Sequence, residues 1–235
     1  MNDISRDEFY IEDHATLFAL LAKNAIDGYS EGRSATTQAI ASYGRERGMR
    51  AAARCMADGL PLSMENYILY GEWADPRNGS RAEIAALEPN YKTNVSVCGW
   101  CEAWKKHGLL EYGKIYCDNA DLNLVRGFNP DLELGMGGIL SRGDAVCEFD
   151  WLGCKIEDTN KFALRRSELT PQVTRDFLYH CGHLLSTFRR VVYLELGLVA
   201  GRKIISRAMR DYENIFGAEK TIALSLESEK NFLPL

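Results

Sequence analysis

The sequence predicts an α+β protein, with helical N- and C-terminal segments packed around a small, mainly antiparallel central sheet. Three observations carry this prediction. Apolar residues recur at helical spacing through much of 10–72 and again through 170–216. Two short stretches between them, 94–98 and 145–151, alternate polar and apolar as strands do. The intervening connections are rich in Gly, Pro, Asn and Asp. At 235 residues without an internal repeat, the chain reads as one domain over 1–235. It would be helical over 10–72, sheet-containing over 91–152, and helical again over 170–216.

Taken in order, Leu17, Phe18, Leu20, Leu21, Ala25 and Ile26 form the first apolar stripe, and Gly28 can end that helix. A second helix is expected over about 34–57, with Ser34 as its N-cap. Gly44 and Gly48 lie inside it, each costing about 1 kcal/mol against alanine, so they imply close packing or a kink. A helical piece over 63–72 follows the Gly59-Leu60-Pro61 break, and 74–90 reads as a loop. Residues 94–98 form a strand, 102–107 a short helix stopped by Gly108, and 109–125 another helix. The glycine-rich stretch 127–143 reads as loop with short strand pieces. In 145–151, Cys147, Phe149 and Trp151 share one face, and Glu148 and Asp150 the other. Thr170-Pro171 is a helix-start signal. The helical region it opens should run to Phe216 and end at Gly217, leaving a final strand or tail.

Composition narrows the function. Hydrophobic residues at 46% exclude disorder over the whole chain. A net charge of −5 argues against a nucleic-acid partner. No apolar run reaches the roughly 18 residues of a membrane span. The N-terminus lacks the apolar stretch of a secretory signal. With that, seven cysteines, an odd number, point to the reducing cytoplasm and free thiols. The expected partner is a small-molecule substrate, without nucleic acid or membrane and with a homodimer left open. No cofactor and no metal are expected.

Several constellations could carry chemistry. Cys98-Gly-Trp100-Cys101 runs from a strand into a helix, the setting of a thiol–disulfide exchanger, although no βαβ pattern surrounds it. Cys98 also ends its strand on the polar face and could look into a pocket. Cys117 and Asp121 are i,i+4 neighbours, with Asp118 beside them. A thiol near carboxylates suits nucleophilic or acid/base work, and equally a buried thiol beside solvated acids. Cys147 on the aromatic face is most simply core. His180 and His183 share a helix face, where His180 is either a proton donor or a satisfied core group. Arg47, Arg50 and Arg54 lie on one helix face, as an anion clamp or a solvated charge stripe. Arg47 sits between glycines and Arg126 precedes a Gly-Phe-Asn-Pro turn, so both are anion-binding candidates.

The order of these pieces carries a resemblance: Tyr43-Gly-x-x-Arg47-Gly-x-Arg50, Val97-Cys98, Gly108-Leu-x-Glu111-Tyr, Tyr116-Cys117-Asp118, Gly127-Phe-Asn-Pro and Gly143-Asp-x-x-Cys147-x-Phe149. Together they resemble the bacterial L-2-amino-thiazoline-4-carboxylic acid hydrolase family over roughly residues 15–215. The resemblance implies hydrolytic opening of a cyclic amidine to N-carbamoyl-L-cysteine. It departs from the family pattern at Gly135-Met-Gly-Gly-Ile-Leu-Ser141, where a Thr-rich strand is expected. Under this reading Cys117, Asp118, Asp121, His180 and Cys98 are the catalytic candidates. Arg47, Arg50, Arg126, Tyr43, Trp100, Tyr116 and Asn129 are the substrate-binding candidates. Two other classes stand beside it: a non-catalytic ligand-binding module resembling 4-vinyl reductase-type sensor domains, and a Cys-x-x-Cys redox protein.

Overall fold

A computed structural model describes residues 6–75, 77 and 79–233. The fold is α+β. The chain forms two compact units, each assembled from separate segments. The first takes the described residues of 1–43, 99–120 and 176–232; the second takes the described residues of 44–98 and 121–175 with Leu233. Helices α2 (Gly32–Ala57) and α5 (Leu110–Phe128) each contribute to both.

In the first unit, α1 (Ile11–Ile26) is almost wholly buried, as its broad apolar stripe requires. Asp13 accepts the backbone N–H of Tyr10 at the start of this helix. It also accepts Tyr212 Oη at 2.9 Å and Lys220 Nζ at 2.7 Å. Helix α4 (Gly99–Lys106) brings Trp104 into this core, where its indole donates to the carbonyl of Ala15. On α5, a Cβ at Gly113 would meet the Trp104 ring at 2.1 Å, so only glycine fits there. Helix α7 (Phe177–Phe216) is broken at Gly197, whose φ of 80° is outside helical geometry. Its start is capped by Asp176, which accepts the backbone N–H of Tyr179.

The second unit holds the sheet, in the order β1-β2-β4-β3 with every pairing antiparallel and with β1 (Arg81–Ala86) and β3 (Leu134–Met136) at its edges. Strands β2 (Tyr91–Val97) and β4 (Cys147–Trp151) form its centre, with Tyr91 opposite Trp151 and Val95 opposite Cys147. The face carrying Tyr91, Phe149 and Trp151 packs on α3 (Met64–Leu69), α5 and α6 (Thr159–Val173). Trp151 Nε1 donates to Thr93 Oγ1 across the strands. Gly48 of α2 and Gly127 of α5 let two backbones touch. A Cβ on Gly48 would sit 2.1 Å from the Leu124 carbonyl oxygen, and one on Gly127 2.3 Å from that of Arg45. The expectation of close packing at Gly48 is met.

Four expectations need correction. The loop expected over 74–90 contains strand β1 (Arg81–Ala86), whose pairing with β2 overrides weak strand propensity. Helix α2 begins at Gly32, so Ser34 lies inside it and is not its N-cap. Thr170-Pro171 does not start a helix. Pro171 lies in the last turn of α6, which Asp158 caps at its start. The last segment is neither strand nor tail but helix α8 (Ala218–Glu227). Its Thr221 and Ser225 hydroxyls donate back to carbonyls four residues earlier, and Arg6 and Lys230 hold its terminal Glu227.

Candidate functional site

In the second unit, α2 presents Arg47, Arg50 and Arg54 to one carboxylate, Glu72, in the segment after α3. Arg50 binds it through two nitrogens, Nε to Oε1 at 3.1 Å and Nη2 to Oε2 at 3.0 Å. Arg47 Nε lies 3.4 Å from Oε2, and Arg54 Nη1 2.9 Å from Oε1. The Trp73 ring lies 3.9 Å from the Arg47 guanidinium, a cation–π contact. Glu72 and Arg47 are 2% exposed and Arg50 7%, so this face is not a solvated charge stripe for those two. Burying such groups is costly unless they pair, and the shared carboxylate meets that need. The sequence reading missed both Glu72 and Trp73. Their signal was an acid at the end of the helical piece expected over 63–72 and an aromatic directly after it.

Asp121 of α5 is half-buried in the same unit. Burial pushes its carboxyl up to about 6, and the opposing charge of Arg47 pulls it down only partly. The acid therefore changes protonation near neutral pH, where a general acid/base is most useful. The neighbouring Tyr67 phenol is pushed up by burial and by the Asp121 charge. The Tyr67 ring packs against Phe128 and Trp151. The glycine contacts between α2 and α5 bring the arginine-bearing helix close to the one carrying Asp121.

The first unit contains a directional hydrogen-bond chain. Trp100 Nε1 donates to His14 Nδ1 at 3.0 Å, and His14 Nε2 lies 2.9 Å from Tyr43 Oη. An indole N–H only donates, so Nδ1 of His14 must accept. The neutral ring then carries its proton on Nε2 and donates it to Tyr43. The Tyr116 and Phe177 rings pack edge-on against His14, and the His183 ring lies 4.6 Å from that of Tyr43. Thus Tyr43, Trp100 and Tyr116, all named from sequence, meet around a histidine that was not. His14 lies on the apolar face of α1 with Leu17, Phe18 and Leu21, and that position was its only sequence signal. His180 and His183 are fully buried on α7, His180 against Phe177 and Tyr179.

The remaining candidates are more dispersed. Cys117 is half-buried on α5, and Asp118 beside it is exposed. Cys98 directly precedes α4 and is partly exposed, whereas Cys101 is buried. Burial pushes the Cys101 thiol up, away from the thiolate a dithiol exchanger uses. Cys147 is buried and its Sγ accepts the Leu140 N–H, consistent with core. Arg126 is exposed and lines a shallow recess with Leu122, Val125 and Leu134. Asn129 holds a turn, donating to the Leu62 carbonyl and accepting the Asp131 N–H. Among the described residues, no group of three or more His, Cys, Asp or Glu side chains is placed to hold a metal.

A family model described as L-2-amino-thiazoline-4-carboxylic acid hydrolase matches residues 10–151, more than half of the chain. No curated protein and no solved structure matches it.

Proposed function

Since the chain belongs to the L-2-amino-thiazoline-4-carboxylic acid hydrolase family, we propose that it hydrolyses a small cyclic amidine ring, with Asp121 as the acid/base group. The observation that carries this reading is the half-buried Asp121 carboxyl, raised to about 6 by burial beside Arg47. The substrate class is a five-membered ring whose amidine carbon lies between sulfur and nitrogen and whose carbon frame bears a carboxylate.

An amidine carbon is a sluggish electrophile and needs an activated nucleophile. Ionised Asp121 takes a proton from water as the oxygen bonds to that carbon. The carbon–sulfur bond then breaks, and its electron pair leaves on sulfur. The protonated Asp121 returns a proton to the thiolate. The water oxygen ends as the urea carbonyl; one of its protons ends on the ring nitrogen and the other on sulfur. Arg47, positioned by Glu72 and Trp73, holds the substrate carboxylate in a charge-assisted bond. Arg50 fixes Glu72 in place through its two-point contact.

The test is incubation of the purified protein with L-2-amino-thiazoline-4-carboxylate, followed by mass spectrometry and thiol release. A product heavier by one water, with one new thiol per turnover, is expected. Absence of turnover on this substrate and on its ring analogues would overturn the proposal.

A further inference from the structure

Helix α7 turns back on itself at Gly197, because a Cβ on Gly201 would lie 3.3 Å from the backbone nitrogen of Tyr193, eight residues earlier. In one continuous helix those residues would be about 12 Å apart. The turn places aliphatic side chains at the end of a helical hairpin. Leu194 is 77% exposed and Val199 72%, with Leu198 half exposed.

The arm that follows carries more basic than acidic side chains. From Leu198 to its end at Phe216 this arm carries Arg202, Lys203, Arg207 and Arg210 against Asp211 and Glu213, a net charge of +2 in a chain whose net charge is −5. All four basic side chains are exposed, while Gly201, Ile204, Ala208 and Tyr212 of the same arm are buried. At 100° per residue the four cations fall within one side of the helix, opposite its core-facing side, and the exposed Glu213 falls among them. Glu195, the acid at the tip, accepts a hydrogen bond from Gln38.

We propose that this hairpin end is a docking surface for an anionic lipid membrane, with Leu194, Leu198 and Val199 entering the headgroup boundary and the basic arm lying on the phosphates. Aliphatic side chains beside a basic helical face are what interfacial segments use. Charge complementarity favours an anionic lipid surface over a second copy. A two-fold contact would oppose the same basic arm to itself. The absence of a membrane-spanning helix among the described residues does not bear on surface contact. The proposal is independent of the hydrolase reading.

The purified protein is sedimented with vesicles of phosphatidylcholine alone or mixed with phosphatidylserine, at low and high salt. Binding to the mixed vesicles at least tenfold stronger than to neutral ones, and weakened by salt, is expected. Leu194→Ser/Val199→Ser should lower that binding at least tenfold, and Arg202→Gln/Lys203→Gln by about tenfold. Circular dichroism of both variants should match the parent, since all four positions are exposed. Equal binding to both vesicle types, no binding to either, or unchanged binding by the folded variants would overturn the proposal. So would a concentration-dependent dimer that Leu194→Ser/Val199→Ser dissolves, because it would assign the tip to a second copy.

Discussion

Replacing Asp121 with Asn should make the protein more stable and less active at the same time. Burial raises this carboxyl from its ordinary value of 3.8 to about 6, so the folded state holds the proton more tightly than the unfolded chain. Its contribution to stability is therefore complete below the unfolded value and lost as pH rises through about 6. Each pH unit is about 1.4 kcal/mol, so ionised Asp121 costs the fold about 3 kcal/mol above pH 7. Partial solvent access to the side chain reduces this to about 2 kcal/mol. Asparagine keeps the size and removes the charge. Urea denaturation at pH 8 should thus show Asp121→Asn more stable by about 2 kcal/mol, with the gap closing towards pH 4. The other carboxylates titrate alike in both proteins and cancel in the difference. Turnover should fall by about a hundredfold or more, the usual loss when an acid/base group is removed. A variant less stable than the parent at pH 8, or a gap independent of pH, would refute the reasoning.

Three further perturbations test the surroundings. Gly48→Ala puts a Cβ 2.1 Å from the Leu124 carbonyl; forcing the backbones apart should cost about 1–3 kcal/mol or more in urea denaturation, and an unchanged midpoint would remove the close approach from the account. Glu72→Gln leaves three guanidinium groups without their shared carboxylate; a loss of about 3–5 kcal/mol is expected, and a loss below about 1 kcal/mol would show that the cluster is not held by this charge. If water activated by Asp121 is the nucleophile, Cys117→Ser should keep thiol-releasing turnover within about tenfold of the parent, whereas a nucleophilic Cys117 would lose about a hundredfold or more.

The sequence made the helices with strong apolar periodicity legible, and the strand β4, because their burial follows directly from side-chain spacing. Gly48 was readable as a packing site because a helix tolerates an interior glycine at a cost that needs a reason. Strand β1 was hidden because its residues are nearly all exposed and its order comes from pairing with β2. Pro171 misled because proline fits both the first turn of a helix and, as here, a late turn near the end of one. In the site, Arg47, Arg50 and Asp121 were visible as residue types on helices. Glu72 was not, since a carboxylate 18 to 25 residues from its arginines has no local spacing signal. His14 was lost for a related reason: its partners Tyr43 and Trp100 lie 29 and 86 residues away.

The most direct test of the central claim is the pH dependence of ring opening. Thiol release from L-2-amino-thiazoline-4-carboxylate would be followed from about pH 4.5 to 8 and analysed as kcat/KM. An acidic limb with a midpoint near 6, rising as Asp121 ionises, is predicted, and Asp121→Asn should abolish that limb with the activity. Turnover that is flat across this range, or an acidic limb that survives in Asp121→Asn, would contradict the assignment of Asp121 as the acid/base.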